Sequence, residues 1–208
     1  MGALCALALP LGRADLYGFD ARSLMRSWDL HKRPAPAAEW TRARESLRAA
    51  HALDPRQPAY LEDLARLNEE RTRRLPASDP LVREYLREAL DLQREALVRR
   101  PGSPYTWSNV ALLKARLAEA DGEFERALRN AALLGPWEPD VQIALADAGF
   151  SRWASLSRET REAMRANAAR ALGRQDERLF EVARRTGQLA LLCGLPEVRR
   201  SRRATACI

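Results

Sequence analysis

The feature that most constrains this chain is a recurring pair of prolines set behind a fixed pattern of small and apolar residues. Ala43, Leu47, Ala50 and Pro55 follow one another at intervals of 4, 3 and 5, and the sets Ala89, Gln93, Ala96, Pro101 and Phe124, Leu128, Ala131, Pro136 repeat those intervals. Three residues beyond each set stands a second proline: Pro58, Pro104 and Pro139. Downstream of it, Leu61, Leu64, Ala65, then Trp107, Val110, Ala111, then Gln142, Leu145, Ala146 recur at equal offsets. Proline cannot continue a helix but suits its first turn, so each unit reads as one helix stopped, a short turn and a second helix opened. Alanines where helices cross let their backbones approach closely. A single helix pair cannot bury its apolar stripe, and stacking several pairs is what makes a core. Successive units lie 46 and 35 residues apart, the longer interval holding a linker at Leu75-Pro76-Ala77-Ser78-Asp79-Pro80.

The rest of the composition agrees with an all-α chain. Ten glycines and twelve prolines punctuate long runs of Ala, Leu, Arg and Glu, and no alternating Val, Ile or Thr pattern suggests a strand. The spacing predicts helices over 37–53, 58–73, 80–99, 104–119, 122–134, 139–153, 157–172 and 175–192. A leading amphipathic helix over 15–31 would present Leu16, Phe19, Leu24 and Trp28. Ser78 or Asp79 is expected to cap the helix opened by Pro80, and Ser157 with Glu159 the one over 157–172.

Several chemistries find no support. His31 and His51 are twenty residues apart, and Cys5, Cys193 and Cys207 form no C-x-x-C element, so a zinc site is not expected. The sequence has no G-x-G-x-x-G, no G-x-x-x-x-G-K-[ST] and no G-x-S-x-G. The neighbouring carboxylates Glu62 and Asp63, or Glu69 and Glu70, point in different directions on a helix and cannot flank one bond. The expectation is a protein without catalytic activity, cofactor or metal.

Charge and the two ends qualify this reading. The net charge is +7, and of the 35 bases only Lys32 and Lys114 are lysines. Residues 1–151 are balanced, whereas 152–208 carry 13 basic and 6 acidic side chains, with a sharp cluster at Arg199, Arg200, Arg202 and Arg203. Such a run holds phosphate or an anionic headgroup by charge-assisted contacts, although a terminal arginine run is more often simply solvated. At the other end, MGALCALALPL is apolar but far short of the about 20 residues a spanning helix needs. Two readings stay open there: a disordered or helical leader, or the residual end of an anchor.

The stretch Trp107-Ser108-Asn109-Val110-Ala111 resembles the W-x-N-L-G signature of tetratricopeptide (TPR) repeats. The 35-residue interval is close to that family's 34-residue period. Arg100-Pro101-Gly102-Ser103-Pro104-Tyr105-Thr106-Trp107 and Leu134-Gly135-Pro136-Trp137-Glu138-Pro139 are more specific. They resemble the VpsP-like polysaccharide-biosynthesis proteins of proteobacteria, from about Trp40 to Leu172. The resemblance implies a TPR-like helical-hairpin solenoid, an α-α superhelix, acting as a non-catalytic scaffold in exopolysaccharide and biofilm-matrix production. It also implies an association with the inner membrane, a domain facing the periplasm, and as partner a protein of the synthesis or export machinery. The domains expected are a truncated or vestigial anchor over 1–12, a leading helix and linker over 13–36, the repeat domain over 37–194 and a basic tail over 195–208. The leader departs from the family in being stunted.

In TPR arrays the first helix of each pair lines the concave face, and the motif asparagine bonds a bound peptide. Carried over, this assigns Asn109 to partner binding, with Tyr105, Ser108, Leu112 and Arg116 beside it. Asp140, Ile143 and Asp147 of the next unit, and Glu62, Arg66 and Glu69 of the first, would face the same side. Trp107, Ala111, Pro104 and Pro139 are expected to be structural, and Trp137 to staple adjacent repeats. Tyr105 and Trp137 stacking on a sugar ring is the minority alternative. A periplasmic domain would also allow Cys193 and Cys207 to bridge, a loop closure worth about 3 kcal/mol. Otherwise Cys193 is a small buried hydrophobe and Cys207 a frayed end. The rival function is a cytoplasmic binder of nucleic acid or another anionic ligand through the C-terminal arginines, a reading in which nucleic acid remains the less favoured partner.

Overall fold

The computed structural model describes residues 2–76, 78–199 and Cys207, with side chains described from Leu9 onward. Among them every regular element is a helix. The chain divides into two compact units, Met1–Pro101 and Gly102–Ile208, so the repeat domain expected over 37–194 is shared between them.

The first unit holds α1 (Gly2–Leu30), α2 (Ala37–Leu53), α3 (Pro58–Thr72) and α4 (Pro80–Arg99), packed consecutively, α1 on α2, α2 on α3 and α3 on α4. Ala43, Leu47 and Ala50 of α2, Leu61, Leu64 and Ala65 of α3, and Ala89 and Ala96 of α4 are all buried, as the repeat pattern requires. Trp40 donates its Nε1 hydrogen to the Leu67 carbonyl (2.8 Å), and Trp28 donates to Glu39 Oε2 (2.6 Å). Arg44 reaches Glu88 (2.7 Å) and Arg100 reaches Glu62 (2.6 Å), tying α2 to α4 and the end of α4 to α3. Asp79, rather than Ser78, caps α4 by accepting from Leu81 N–H (2.9 Å).

The leading helix is longer than expected and turned about its axis. It runs through Pro10, and it buries Ala14, Ala21, Met25 and Trp28 while leaving Leu16 and Phe19 exposed. The small residues win the inner face because α1 passes close to α3: a Cβ on Gly18 would stand 2.7 Å from Tyr60 Cε1. Bulkier side chains there would hold the helices apart. Among the described residues no helix is long and apolar enough to cross a membrane.

The second unit holds α5 (Pro104–Leu117), α6 (Gly122–Leu134), α7 (Pro139–Ser151), a short 3-10 turn (Trp153–Ser155), α8 (Arg158–Ala171), α9 (Asp176–Arg185), α10 (Leu189–Cys193) and α11 (Pro196–Arg199). Helices α5, α7 and α9 pack side by side in that order, while α6 and α8 lie against them and against each other. Val110, Ala111, Phe124, Leu128, Ala131, Leu145 and Ala146 fill the contacts. Lys114, only 1% exposed, joins the end of α5 to the start of α6 by pairing with Asp121 (2.9 Å) and Glu123 (2.8 Å). Asp121 in turn caps α6 by accepting from the Glu123 and Phe124 amides.

Two local expectations change in this unit. The helix expected over 175–192 is interrupted at Thr186–Gln188, where Gly187 takes a left-handed φ of 71° and Gln188 N–H bonds the Ala183 carbonyl (2.7 Å). That is a glycine-terminated helix end followed by a new short helix. Ser157 does cap α8, but the acid facing it is Glu125 from α6, not Glu159; Glu125 accepts from Ser157 N–H (2.7 Å) and from Thr160 Oγ1 (2.7 Å). A carboxylate held on a packed neighbouring helix has displaced the one next door in sequence.

Candidate functional site

Along the second unit, α5, α7 and α9 leave between them an open groove of about 350 Å³. The proline-opened starts of α5 and α7 set the phase of both helices. Val110, Ala111, Leu145 and Ala146 turn into the core. The adjoining face then carries Tyr105, Ser108, Asn109 and Leu112 on α5, with Asp140, Ile143, Ala144 and Asp147 on α7. The third wall is α9, through Arg178, Val182 and Arg185.

Charge is arranged along this groove in cross-helix pairs. Asp140 meets Arg178 (2.9 Å) and Asp147 meets Arg185 (3.0 Å). Each pair sits one heptad, about two turns, from the other. At the mouth the Tyr105 hydroxyl donates to Glu138 Oε2 (2.5 Å), and that hydrogen bond, helped by burial and the nearby carboxylates, raises its pKa above the ordinary 10.0. Tyr105 is therefore a neutral donor, and its side chain is exposed. Ser108 donates to the Tyr105 carbonyl (2.8 Å) within its own helix, which leaves its oxygen without an activating base. The groove offers an amide, an aromatic face, paired acids and bases, and an apolar floor. Those groups can hydrogen-bond, pair with charges and cover a small apolar side chain.

The sequence-predicted residues divide. Tyr105, Asn109, Asp140 and Asp147 line the groove together. Arg116 is exposed on α5 but does not line it. Glu62 and Arg66 lie in the first unit, where Glu62 pairs with Arg100 and Arg66 with Asp29. Ala111 is fully buried and Pro104 and Pro139 open their helices, but Trp107 is only half-buried, the fully buried position being the preceding Thr106. Trp137, expected to staple adjacent repeats, is 62% exposed. The turn around it is closed instead by Gln142 Nε2 donating to the Pro136 carbonyl (2.8 Å) and by the Tyr105–Glu138 bond.

Sequence reasoning missed the α9 wall. Its signal was present in the equal seven-residue spacing of Asp140 to Asp147 and of Arg178 to Arg185. At the far end Cys193, closing α10, is bonded to Cys207 with Cα atoms 5.9 Å apart, and both pack on the cluster of Phe180, Leu192, Leu195 and Val198. Arg199 ends α11, whereas Arg200, Arg202 and Arg203 lie outside the described residues. No protein-family model matches the chain, and no curated protein matches it significantly.

Proposed function

We propose that this chain is a non-catalytic adaptor whose α5–α6 and α7–α8 pairs are TPR-like hairpins and whose α5–α7–α9 groove binds a protein partner. The observation that carries the reading is the convergence of Tyr105, Asn109, Asp140 and Asp147 on one open groove. The side-by-side order of α5, α7 and α9 supports the hairpin assignment, since first helices of successive repeats line the inner face of such arrays. The self-bonded Ser108 and the mutually paired acids and bases argue for recognition rather than chemistry.

On the turn motifs that resemble VpsP-like proteins, the adaptor serves bacterial exopolysaccharide and biofilm-matrix production, organising a synthesis or export component from the periplasmic side. The Cys193–Cys207 bond favours that oxidising compartment over the cytoplasm, and so disfavours the cytoplasmic anion-binding alternative. The test is complementation of a deletion strain with the Asn109→Ala, Asp147→Ala double variant. Exopolysaccharide output falls while protein level and thermal midpoint stay unchanged. Normal output at normal protein level overturns the groove assignment.

A further inference from the structure

Helix α1 is apolar on two opposite faces, and the first unit uses only one of them. Ala14, Ala21, Met25 and Trp28 are buried inside. On the reverse side Leu9, Gly12, Leu16, Phe19, Ser23, Arg26 and Leu30 follow one another at alternating steps of three and four. Of these Leu9 is 70% exposed, Leu16 70%, Phe19 66% and Leu30 74%, and a Cβ built on Gly12 would meet nothing within 4 Å. Large apolar side chains left exposed in a row on a folded unit mark an interaction surface.

The spacing says what kind of body covers the outer side. Alternating threes and fours average 3.5 residues, the repeat that keeps one seam of a helix against another helix. A lipid surface asks for something else: a broad apolar arc with basic flanks. Here the stripe is narrow and each flank carries both signs, Asp15 with Arg22 on one side and Arg13 with Asp20 on the other. Flanks of mixed sign complement a second copy of the same helix better than a uniformly anionic surface.

We infer that a second copy of this chain docks on the outer face of α1, the two α1 helices running antiparallel about a two-fold axis. An isologous interface makes every contact twice, so a register that is good once is good everywhere. Setting Leu16 against the partner's Phe19 brings the two bulkiest exposed side chains into the central layers. The same register sets Gly12 against the partner's Ser23, a small-on-small layer, and Leu9 against the aliphatic stem of the partner's Arg26. It also brings Arg13 towards the partner's Asp20, which Arg42 already holds, and Asp15 towards the partner's Arg22, which already pairs with Asp63, opposite charges joining existing pairs in both cases. A parallel pair would instead bring Asp15 towards the partner's Asp20. This interface does not depend on what the α5–α7–α9 groove binds.

Sedimentation equilibrium of the full-length chain tests this. The wild type gives a mass approaching twice 23.4 kDa as concentration rises, and the Leu16→Glu, Phe19→Glu variant stays at 23.4 kDa with unchanged helical circular dichroism, because both side chains are exposed in the protomer. Direction is read by cross-linking in a Cys5→Ser background. Gly12→Cys together with Ser23→Cys gives an oxidised dimer, and Gly12→Cys alone gives none. Within one helix those two positions are about 16 Å apart and cannot bond each other. A wild type that remains a monomer throughout overturns the proposal. So does a monomer whose binding to phosphatidylglycerol vesicles is lost in the double glutamate variant, which would give the stripe to lipid. Cross-linking by Gly12→Cys alone overturns the antiparallel arrangement.

Discussion

Helices α3 and α5 are opened by equivalent prolines and carry the same apolar register, yet their polar faces meet opposite fates. Aligned on Leu61 and Trp107, Asp63 in the first unit occupies the place of Asn109 in the second. Asp63 is taken by Arg22 of α1 at 2.6 Å, and Arg66 one turn on is taken by Asp29. Tyr60 donates to Asp15 (3.1 Å) on the same helix. Asn109, by contrast, is half-buried and lines the open groove beside Asp140 and Asp147. A repeat motif thus creates a face but does not decide whether it is free to bind. Here the decision belongs to α1, an element outside the repeat, which covers the face of α3.

The comparison can be broken most severely in the second unit. Lys114→Ala leaves Asp121 and Glu123 facing each other without their shared cation and is expected to cost about 3 kcal/mol. The measurement is denaturant unfolding, together with loss of hydrogen-exchange protection in α5 and α6. Protection confined to its wild-type value would mean that the hairpin holding the groove does not rest on this pair.

A smaller effect is expected from Gly18→Ala, which drives a methyl into the Tyr60 ring and costs about 1–3 kcal/mol. It loosens α1 from α3 and makes the first unit more like the second, so amide exchange rises in α1 and at Asp63 while α5 and α7 are unaffected. Unchanged exchange at Asp63 would break the claim that α1 is what covers it.

The smallest effect is a difference in acid response. Burial works to raise Asp121 and Glu125, but it is outweighed. Phe124 N–H and Lys114 hold Asp121 below its ordinary 3.8, and Ser157 and Thr160 hold Glu125 below its ordinary 4.5. Carboxylates with lowered folded values add stability above the unfolded value, and it is lost as pH falls through the folded one. Asp63 is displaced the other way, because burial outweighs the attraction of Arg22. Its charge is a cost at neutral pH, relieved as pH falls through its raised value. Between pH 5 and pH 3, residue-level exchange should show α6 and the start of α8 losing protection while the contact of α3 with α1 does not. Equal loss in both units would contradict these assignments.

Much of this was legible in the sequence, for identifiable reasons. Proline at the first helical position fixes a start sharply, so α3, α4, α5 and α7 begin at Pro58, Pro80, Pro104 and Pro139 where the pattern placed them. Their repeated alanines are buried because only small residues fit where helices cross. Ends set by backbone geometry were harder to read. Ala118 closes α5 with a left-handed φ of 63°, and no glycine announces it. Lys32, at a φ of 47°, ends α1 in the same way. The first half of the inner face of α1 was misjudged because it is built from Ala14, Gly18 and Ala21, which carry little hydrophobic signal, while Leu16 and Phe19 point outward; Trp28, further on, is buried as expected. At the groove, α5 and α7 were readable from their shared register. The α9 wall was not, since no proline pair introduces that helix.

The central claim is that the α5–α7–α9 face binds a partner while the matching face of α3 does not. Photo-crosslinking in living cells of the native host, with benzoylphenylalanine placed in turn at Asn109, Leu112, Asp63 and Arg66, tests it most directly. One discrete adduct from the first two positions and none from the last two is the predicted result. No adduct at Asn109 and Leu112, or adducts of equal yield at Asp63 and Arg66, would contradict it.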